Sequence, residues 1–324
     1  MTATARELPD KGSDPAPPPG WLKVHGLAGI AIIVAAEVLL FSGNLTVGRW
    51  FTAIVWTGYV LFVDALVYRS KGTSLLVDNR VEFVLIAIAS IACWWLFEWY
   101  NAPRFWNSNL EMWWRYHNLE PNLFLRRFGY DWAFATIFPA LFETAELLAA
   151  TVFKGKLKGK PVKIGRSSLI LIAIVGLAAA VIPLAVLSVW LVPLVWLSYV
   201  FLLDPVNALR RSPSIAGDLS RGDYTRLASL LVSGALCGVL WEFWNYWAIS
   251  KWTYTVPYFG GVKLFEMPVL GFLGFPPFAI ECWAMYVFLR SLLGPGQIGS
   301  AWRRDSGDDM WPSAVHSDKT LLNG

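Results

Sequence analysis

Eight stretches of about 20 mostly apolar residues divide this 324-residue chain, and each could cross a bilayer as an α-helix. Hydrophobic residues make up 56% of the sequence and charged residues 15%, whereas soluble domains average roughly 45–50% and 25%. This balance excludes an ordinary cytosolic enzyme, a disordered protein and a secreted disulfide scaffold. We predict an all-α integral membrane protein. Its transmembrane helices are expected near residues 26–42, 50–68, 81–100, 131–153, 168–188, 190–207, 227–248 and 269–289.

The fifth and sixth stretches are continuous in hydropathy. The segment from Ser167 to Leu209 carries one charge, Asp204. It is long enough for two helices that each cross the membrane. We predict that a tight turn near Trp190 and Pro193 separates them, because proline favours the first turn of a new helix.

Lysine and arginine are distributed unevenly among the connections between these stretches. Eight crossings put both termini on one side, and the segments on that side hold 20 of the 27 basic residues. Cytosolic loops of membrane proteins carry such an excess. We therefore predict a protein of the cell (inner) membrane with both termini in the cytosol. The net charge of +4 is explained by these loops and does not indicate nucleic-acid binding.

Composition also predicts how the chain is organised along its length. The first residues are polar and rich in proline, and the last are polar and acidic, which is typical of tails without fixed structure. The predicted parts are a disordered cytosolic N-tail (1–22), a first four-helix repeat (23–154), a basic cytosolic linker (155–167), a second four-helix repeat (168–292) and a disordered cytosolic C-tail (293–324).

The two halves of the sequence resemble each other. At an offset of 140 residues, six residues of the second predicted helix recur in the sixth. They are Trp50, Val55, Trp56, Tyr59, Val60 and Asp64, which match Trp190, Val195, Trp196, Tyr199, Val200 and Asp204. With small shifts, polar residues that are rare in membranes also match. Shared membrane composition explains matched leucines but not matched acids, so we predict two tandem four-helix repeats of the same orientation.

Carboxyl groups inside the predicted helices are the strongest functional signal, because burying them in a membrane costs several kcal/mol. Two matched pairs, Glu98 with Glu242 and Glu143 with Glu281, lie away from basic residues, and we predict that they are catalytic. No lysine or arginine lies deep in a predicted helix to pair with them. An unpaired buried carboxyl favours its neutral form, which can donate a proton to a substrate.

The remaining acids are weaker candidates. Asp64 and Asp204 have basic residues close behind them and could form anchoring ion pairs. Those basic residues are Arg69, Lys71, Arg210 and Arg211. Glu37 and Glu146 have no counterpart in the other half. Two acids at helix edges, where water is within reach, are set aside: Glu82 and Asp131.

Two Glu-x-x-Asn pairs and the tryptophans around them predict a binding site. Each asparagine could orient its glutamate, or it could clasp two helices together. Aromatic rings could hold an apolar ligand or a cation, or they could form an interfacial belt. The predicted substrate-binding residues are Asn101, Asn245, Trp94, Trp95, Trp241, Trp244, Trp252 and Tyr254. The segment from Asn109 to Leu119 looks amphipathic and is predicted to lie in the membrane interface.

Neither a metal nor a cofactor is predicted. The three cysteines lie in apolar stretches without metal-binding spacing, and the sequence holds only three histidines. No GxxxxGK or GxGxxG motif for a nucleotide is present. The expected partners are the lipid bilayer and an apolar small molecule, whereas the oligomeric state stays open.

The second half carries an aromatic–acid pair, a Trp-x-Tyr motif and a proline before an acid. The residues are Trp241-Glu242, Trp252-x-Tyr254, Gly261, Pro277, Glu281 and Phe288. The first half has Phe97-Glu98, Trp106, Pro139 and Glu143. This pattern resembles the lycopene cyclase domain. The resemblance implies that Glu242 and Glu281 stand where the functional acids of that family lie. It also implies cofactor-free acid catalysis on a polyene.

These observations favour a membrane-embedded acid–base enzyme that acts on an apolar lipid, isoprenoid or carotenoid, similar to a cyclase or isomerase. Two other functions fit the same residues. The acids could carry protons in a proton-coupled or lipid transporter, or they could stabilise a non-catalytic membrane scaffold. The sequence does not identify the substrate.

Overall fold

The computed structural model describes residues 22–106, 112–153, 157–255, 257 and 261–293. Eight helical segments in these ranges are long and apolar enough to cross a membrane, which confirms the predicted multi-pass helical class. The helices are α1 (Val24–Phe41), α2 (Leu45–Lys71), α3 (Leu75–Asp78), α4 (Arg80–Trp106), α5 (Leu123–Ala135), α6 (Ile137–Ala150), α7 (Arg166–Ala185), α8 (Val192–Leu209), α9 (Ile215–Ser220), α10 (Thr225–Trp247) and α11 (Phe275–Leu292). The strands are β1 (Trp114–His117), β2 (Lys251–Tyr254), β3 (Lys263–Leu264) and β4 (Met267–Pro268). Most residues of the predicted tails, and the start of the predicted linker, lie outside the described ranges.

Local signals set the ends of α2. The Asn44 side chain accepts a hydrogen bond from the Val47 N–H at 3.0 Å and so caps the first turn. The helix ends at Gly72, whose φ of 78° is favourable for glycine. Arg69 and Lys71 lie in the last turn, where cations interact favourably with the helix dipole.

The fourth predicted crossing begins earlier than the sequence suggests. It starts at Leu123 and consists of α5 and α6, with a break at Thr136. Charged residues on α5 lower its hydropathy and hide its beginning. Leu123 and Phe124 are nonetheless 73% and 79% exposed, as expected for side chains that contact lipid.

The fifth and sixth crossings form a helical hairpin with its turn at residues 186–191, which confirms the position predicted from Trp190 and Pro193. The two helices approach closely at Gly176, where an added Cβ would lie 2.2 Å from the Leu202 nitrogen. In the α1–α2 hairpin, a Cβ on Gly29 would lie 2.4 Å from the Gly58 carbonyl oxygen. Small residues allow such close packing between membrane helices.

The most buried helices are α6 and α11. Residues 278–287 of α11 are all buried, and α4, α8 and α10 pack around this helix. In contrast, α1 and α7 lie at the periphery and keep much of their apolar surface exposed. The interior of the bundle therefore holds the polar groups, whereas the outer helices supply the apolar exterior that a bilayer requires.

Strands β1 and β2 pair antiparallel and connect the two halves of the chain. Trp114 lies opposite Tyr254, and Tyr116 lies opposite Trp252. Both strands follow long helices, α4 and α10, so the sheet marks one end of the bundle, which we call the sheet end. Within the segment predicted to be amphipathic and interfacial, residues 114–117 form a strand, and pairing with β2 satisfies their backbone. Residues 107–111 lie outside the described ranges.

At the end of the bundle opposite the sheet, Asp64 and Asp204 play a role that we did not predict. Asp204 accepts hydrogen bonds from the Ile215 and Ala216 N–H groups at 2.6 and 2.9 Å. Asp64 accepts one from Leu76 N–H at 2.9 Å. Both carboxyls therefore satisfy free N–H groups at the start of short helices. His25 Nε2 also lies 2.9 Å from an Asp64 carboxyl oxygen.

Candidate functional site

A cavity lies at the sheet end. Its volume is about 170 Å³ when only the space open to the centres of water molecules is counted. We call it the aromatic cavity. Seven tryptophans line it: Trp50, Trp56, Trp94, Trp114, Trp196, Trp241 and Trp252. The Trp94 and Trp241 rings lie 5.3 Å apart between centroids. A concave, mostly apolar space with few polar groups is typical of a small-molecule site.

Glu98 lies behind the wall of this cavity and accepts three hydrogen bonds. The Tyr116 hydroxyl donates to Glu98 Oε1 at 2.5 Å. The indole N–H groups of Trp94 and Trp114 each donate to the same oxygen at 3.1 Å. Because all three donors line the cavity, the carboxyl is connected to the cavity through its hydrogen-bond partners.

Glu242 has a similar arrangement in the second half. The Tyr254 hydroxyl donates to Glu242 Oε1 at 2.8 Å, and the Trp252 indole donates to that hydroxyl at 2.7 Å. Glu242 is completely buried, and its Oε2 atom accepts no hydrogen bond from the described residues. The cavity is thus bordered by two glutamate–tyrosine pairs, Glu98–Tyr116 and Glu242–Tyr254.

The two tyrosines of these pairs keep their protons. Burial raises the pKa of Tyr116 well above its ordinary value, and the charge of Glu98 raises it further. Burial likewise raises the pKa of Tyr254, with Glu242 as the second cause. Both phenols therefore remain hydrogen-bond donors at neutral pH.

Asn101 and Asn245 bind strands, and neither lines the cavity. The Asn101 side chain accepts from the Trp113 N–H at 3.0 Å and donates to the Trp114 carbonyl at 2.9 Å. Asn245 accepts from the Trp252 N–H at 3.0 Å and donates to the carbonyl of the same residue at 2.9 Å. The expectation that each asparagine orients its neighbouring glutamate is wrong, because both amide groups are used to hold a strand.

The other two predicted catalytic acids lie apart from the aromatic cavity. Glu281 is completely buried, and its Oε1 accepts from the Tyr199 N–H at 3.0 Å. Glu143 is also buried, and its oxygens accept no hydrogen bond from the described residues. Asp64, Glu146 and Lys71 lie within electrostatic reach of Glu143. The structure therefore brings Glu98 and Glu242 to the cavity, but not Glu143 or Glu281.

Two buried acids outside the four predicted catalytic ones are paired with cations. Lys71 contacts Glu146. Arg290 lies 3.1 Å from Glu82, which also accepts a hydrogen bond from Tyr286. Glu82 is only 4% exposed, so setting it aside as a water-accessible residue was wrong. These bases sit at helix ends, and their long side chains reach the buried acids.

The predicted aromatic residues separate into two groups. Trp94, Trp241, Trp252 and Tyr254 line the aromatic cavity. Trp95 and Trp244 do not: the Trp95 indole donates to Asp131 at 2.6 Å, and the Trp244 indole donates to Glu37 at 3.1 Å.

Sequence reasoning missed Trp114 and Tyr116. We matched the Trp-x-Tyr motif of the second half to Trp106 in the first, whose side chain lies outside what the structure describes. The signal was present, because Trp114-Arg115-Tyr116 repeats the spacing of Trp252-Thr253-Tyr254.

Comparisons with known protein families, with characterised proteins and with solved structures give no match for this chain. Its function therefore has to be argued from the site itself.

Proposed function

We propose that this protein is a membrane-embedded, cofactor-free acid–base enzyme that acts on a lipid or isoprenoid bound in the aromatic cavity. One observation carries the proposal: two buried glutamates, each hydrogen-bonded to a tyrosine, border one tryptophan-lined cavity. Acid–base chemistry on a substrate needs one group that gives a proton and another that takes one. The apolar wall favours a substrate without many polar groups.

The proposed reaction moves a carbon–carbon double bond or closes a ring. In one pair, the tyrosine transfers its proton to an alkene carbon and takes the proton of its glutamic acid. The carbocation that forms is stabilised by the faces of the tryptophan rings. The other tyrosine passes its proton to its glutamate and removes a proton from a neighbouring carbon. One proton is added and one is lost, so the product has the formula of the substrate.

The resemblance to the lycopene cyclase domain supports a polyene as the substrate. Three of the residues that carry it, Glu242, Trp252 and Tyr254, are joined by hydrogen bonds beside the cavity. Glu281, the other acid of the pattern, lies apart from the cavity wall. In the proposed mechanism the second acid is therefore Glu98.

The proposal includes two tandem four-helix repeats of the same orientation in the cell membrane, with both termini in the cytosol. Equivalent hydrogen bonds support the duplication. Asn101 and Asn245 hold equivalent strands, and Ser74 and Ser214 both cap a short helix. Reporter fusions at the two termini test the orientation, since a periplasm-active reporter should be silent at both.

Substitution of the paired residues tests the chemistry. Lipid and isoprenoid extracts are compared from cells that carry the wild-type protein or Glu98→Gln, Glu242→Gln, Tyr116→Phe or Tyr254→Phe. We expect each variant to lose about 10²-fold or more of the conversion. Glu37→Gln is the control, because Glu37 bonds Trp244 away from the cavity. Unchanged extracts from the Glu98→Gln/Glu242→Gln protein, at normal abundance, would contradict the proposal.

A proton-coupled transporter is the second candidate, and Glu143 favours it. This buried acid lies within electrostatic reach of Asp64, which contacts His25 at the end opposite the sheet. Ionisable groups thus extend from that end into the bundle, as in proton relays. Substrate flux into proteoliposomes that depends on pH, without chemical conversion, would select this function. If the substitutions lower stability alone, a scaffold is selected.

A further inference from the structure

Three charged residues line the mostly apolar aromatic cavity. They are Arg49 on α2, Glu120 before the start of α5, and Arg126 on α5. Arg126 Nε donates to the Glu120 backbone carbonyl at 2.6 Å, and the Glu120 carboxylate accepts from the Asn122 N–H at 3.2 Å. Within the described part of the chain, neither Arg49 nor Arg126 forms an ion pair.

Arg127, the next residue on α5, does have partners for its charge. It lies 3.1 Å from Asp131, and its guanidinium carbon lies 3.7 Å from the centre of the Trp95 ring. Arg49 and Arg126 line the cavity and form no ion pair within the described residues, which makes them candidates for ligand contacts.

Arg126 lies on the Glu98 side of the cavity. Arg126 and Glu98 are both within electrostatic reach of the Tyr130 hydroxyl. The Tyr130 ring lies 5.2 Å from the ring of Tyr116, the partner of Glu98. On the other side, Lys251 is paired with Glu266 at 2.6 Å. Arg126 therefore brings a positive charge near the Glu98–Tyr116 pair.

We propose that the ligand of the aromatic cavity is an amphiphile with an anionic head, a phosphate or a carboxylate, held by Arg49 and Arg126. Guanidinium groups recognise both head groups through paired N–H donors. The apolar tail lies among the tryptophans. This inference rests on the proposed function for the location of the site, but it concerns binding and not chemistry. It places the first carbons of the tail beside Glu98–Tyr116 and later carbons near Glu242–Tyr254.

Binding to the full-length protein in nanodiscs tests the inference. The probes are farnesyl phosphate, farnesoic acid and farnesol, followed by the change in tryptophan fluorescence. We expect at least one anionic probe to bind about tenfold or more tightly than farnesol, a difference of about 1.4 kcal/mol. Arg49→Gln and Arg126→Gln should each reduce this preference, and the double variant should abolish it. The affinity for farnesol should stay the same in all three.

Arg127→Gln is the matched control, since it removes a neighbouring charge that is paired outside the cavity. Equal binding of all three probes, or an equal loss in Arg127→Gln and Arg126→Gln, would overturn the inference. The phosphate and carboxylate probes identify the head group. Arg49 is exposed, so Arg49→Gln keeps the test valid if Arg126→Gln misfolds.

The two proposals can fail separately. If Glu98→Gln and Glu242→Gln leave conversion intact while the anionic probes still bind preferentially, the chemistry is wrong and the head-group site stands. If those variants lose conversion but the wild type binds farnesol as tightly as the anions, the chemistry stands and the head-group site is wrong.

Discussion

At the scale of single residues, the two glutamate–tyrosine pairs differ in their hydrogen bonds. Glu98 accepts from three donors, whereas Glu242 accepts from Tyr254 and leaves its Oε2 atom without a described partner. Donors favour the charged form of a carboxyl. We therefore expect Glu98 to take the proton from the substrate in the proposed reaction and Glu242 to give one.

Exchange with heavy water tests this division of roles. In Glu98→Gln, the Glu242–Tyr254 pair should still protonate the substrate and take a proton back from the carbocation. Deuterium should therefore enter the recovered substrate although no product forms. In Glu242→Gln, neither product nor deuterated substrate should form. The measurement is mass spectrometry of substrate recovered from D₂O. Deuterium uptake in Glu242→Gln but not in Glu98→Gln would reverse the roles.

The ion pair of Lys71 and Glu146 gives a second prediction at this scale. Glu146 has 4% of its side chain exposed, so Lys71→Met leaves a buried acid without its cation. We expect a loss of about 3–5 kcal/mol in the free energy of unfolding. Lys71→Met/Glu146→Gln should recover most of this lost stability, because the double variant removes both charges of the pair. Thermal unfolding in detergent measures both; equal melting temperatures for the single variant and the wild type would contradict the prediction.

At the scale of elements, each asparagine fastens a strand to the end of the long helix before it. Asn101 on α4 holds β1 and the residue preceding it, and Asn245 on α10 holds β2. Both side chains are buried, with 2% and 0% exposure. Each asparagine follows its glutamate by one helical turn. The strand that it holds therefore places the Trp-x-Tyr motif beside that glutamate.

Asn245→Ala should loosen this attachment. It leaves the Trp252 N–H and carbonyl without their side-chain partners, which costs about 1–3 kcal/mol for each group that stays buried. We expect lower stability and reduced conversion. Asn118→Gly is the control, because Asn118 is exposed, has a φ of 53° that glycine adopts readily, and donates one bond of 3.2 Å to the Ile249 carbonyl. If the two variants behave alike in unfolding and in conversion, Asn245 does not hold the strand.

At the scale of the whole molecule, the β1–β2 sheet joins the two halves across the bundle. Arg115 lies directly opposite Thr253, midway between the two Trp-x-Tyr positions. Because one tyrosine comes from each strand, the aromatic cavity is complete only when the halves are paired. The sheet therefore assembles the site as well as linking the halves.

A disulfide between these two positions tests that pairing. The Cβ atoms of directly opposed residues lie about 4.5–5.5 Å apart, close to the separation in a disulfide. We expect Arg115→Cys/Thr253→Cys to cross-link. After cleavage at a protease site inserted in residues 157–163, the halves should stay together on a gel until reduced. Arg115→Cys/Lys263→Cys is the control, and cross-linking of that pair to the same extent would contradict the register.

The sequence predicted the helices well, because hydrophobic length is a local property of the chain. All eight crossings were found, with the largest error at α5, where Arg126, Arg127 and Asp131 masked the helix start. Glu98 and Glu242 were also found, because an acid within an apolar helix stands out. The site was predicted only in part: Glu143, Glu281, Trp95 and Trp244 lie away from the cavity.

The sequence by itself determined that this chain forms eight apolar helices and which acids lie within them. Only the tertiary structure decided that Tyr116 reaches Glu98, that Asn101 holds a strand and that Asp64 caps a short helix. These contacts join residues that periodicity cannot relate, because they depend on strand register and on how packed helices direct their side chains. Hydrophobicity is summed along the chain, whereas a hydrogen bond depends on the position and direction of two groups brought together by the fold.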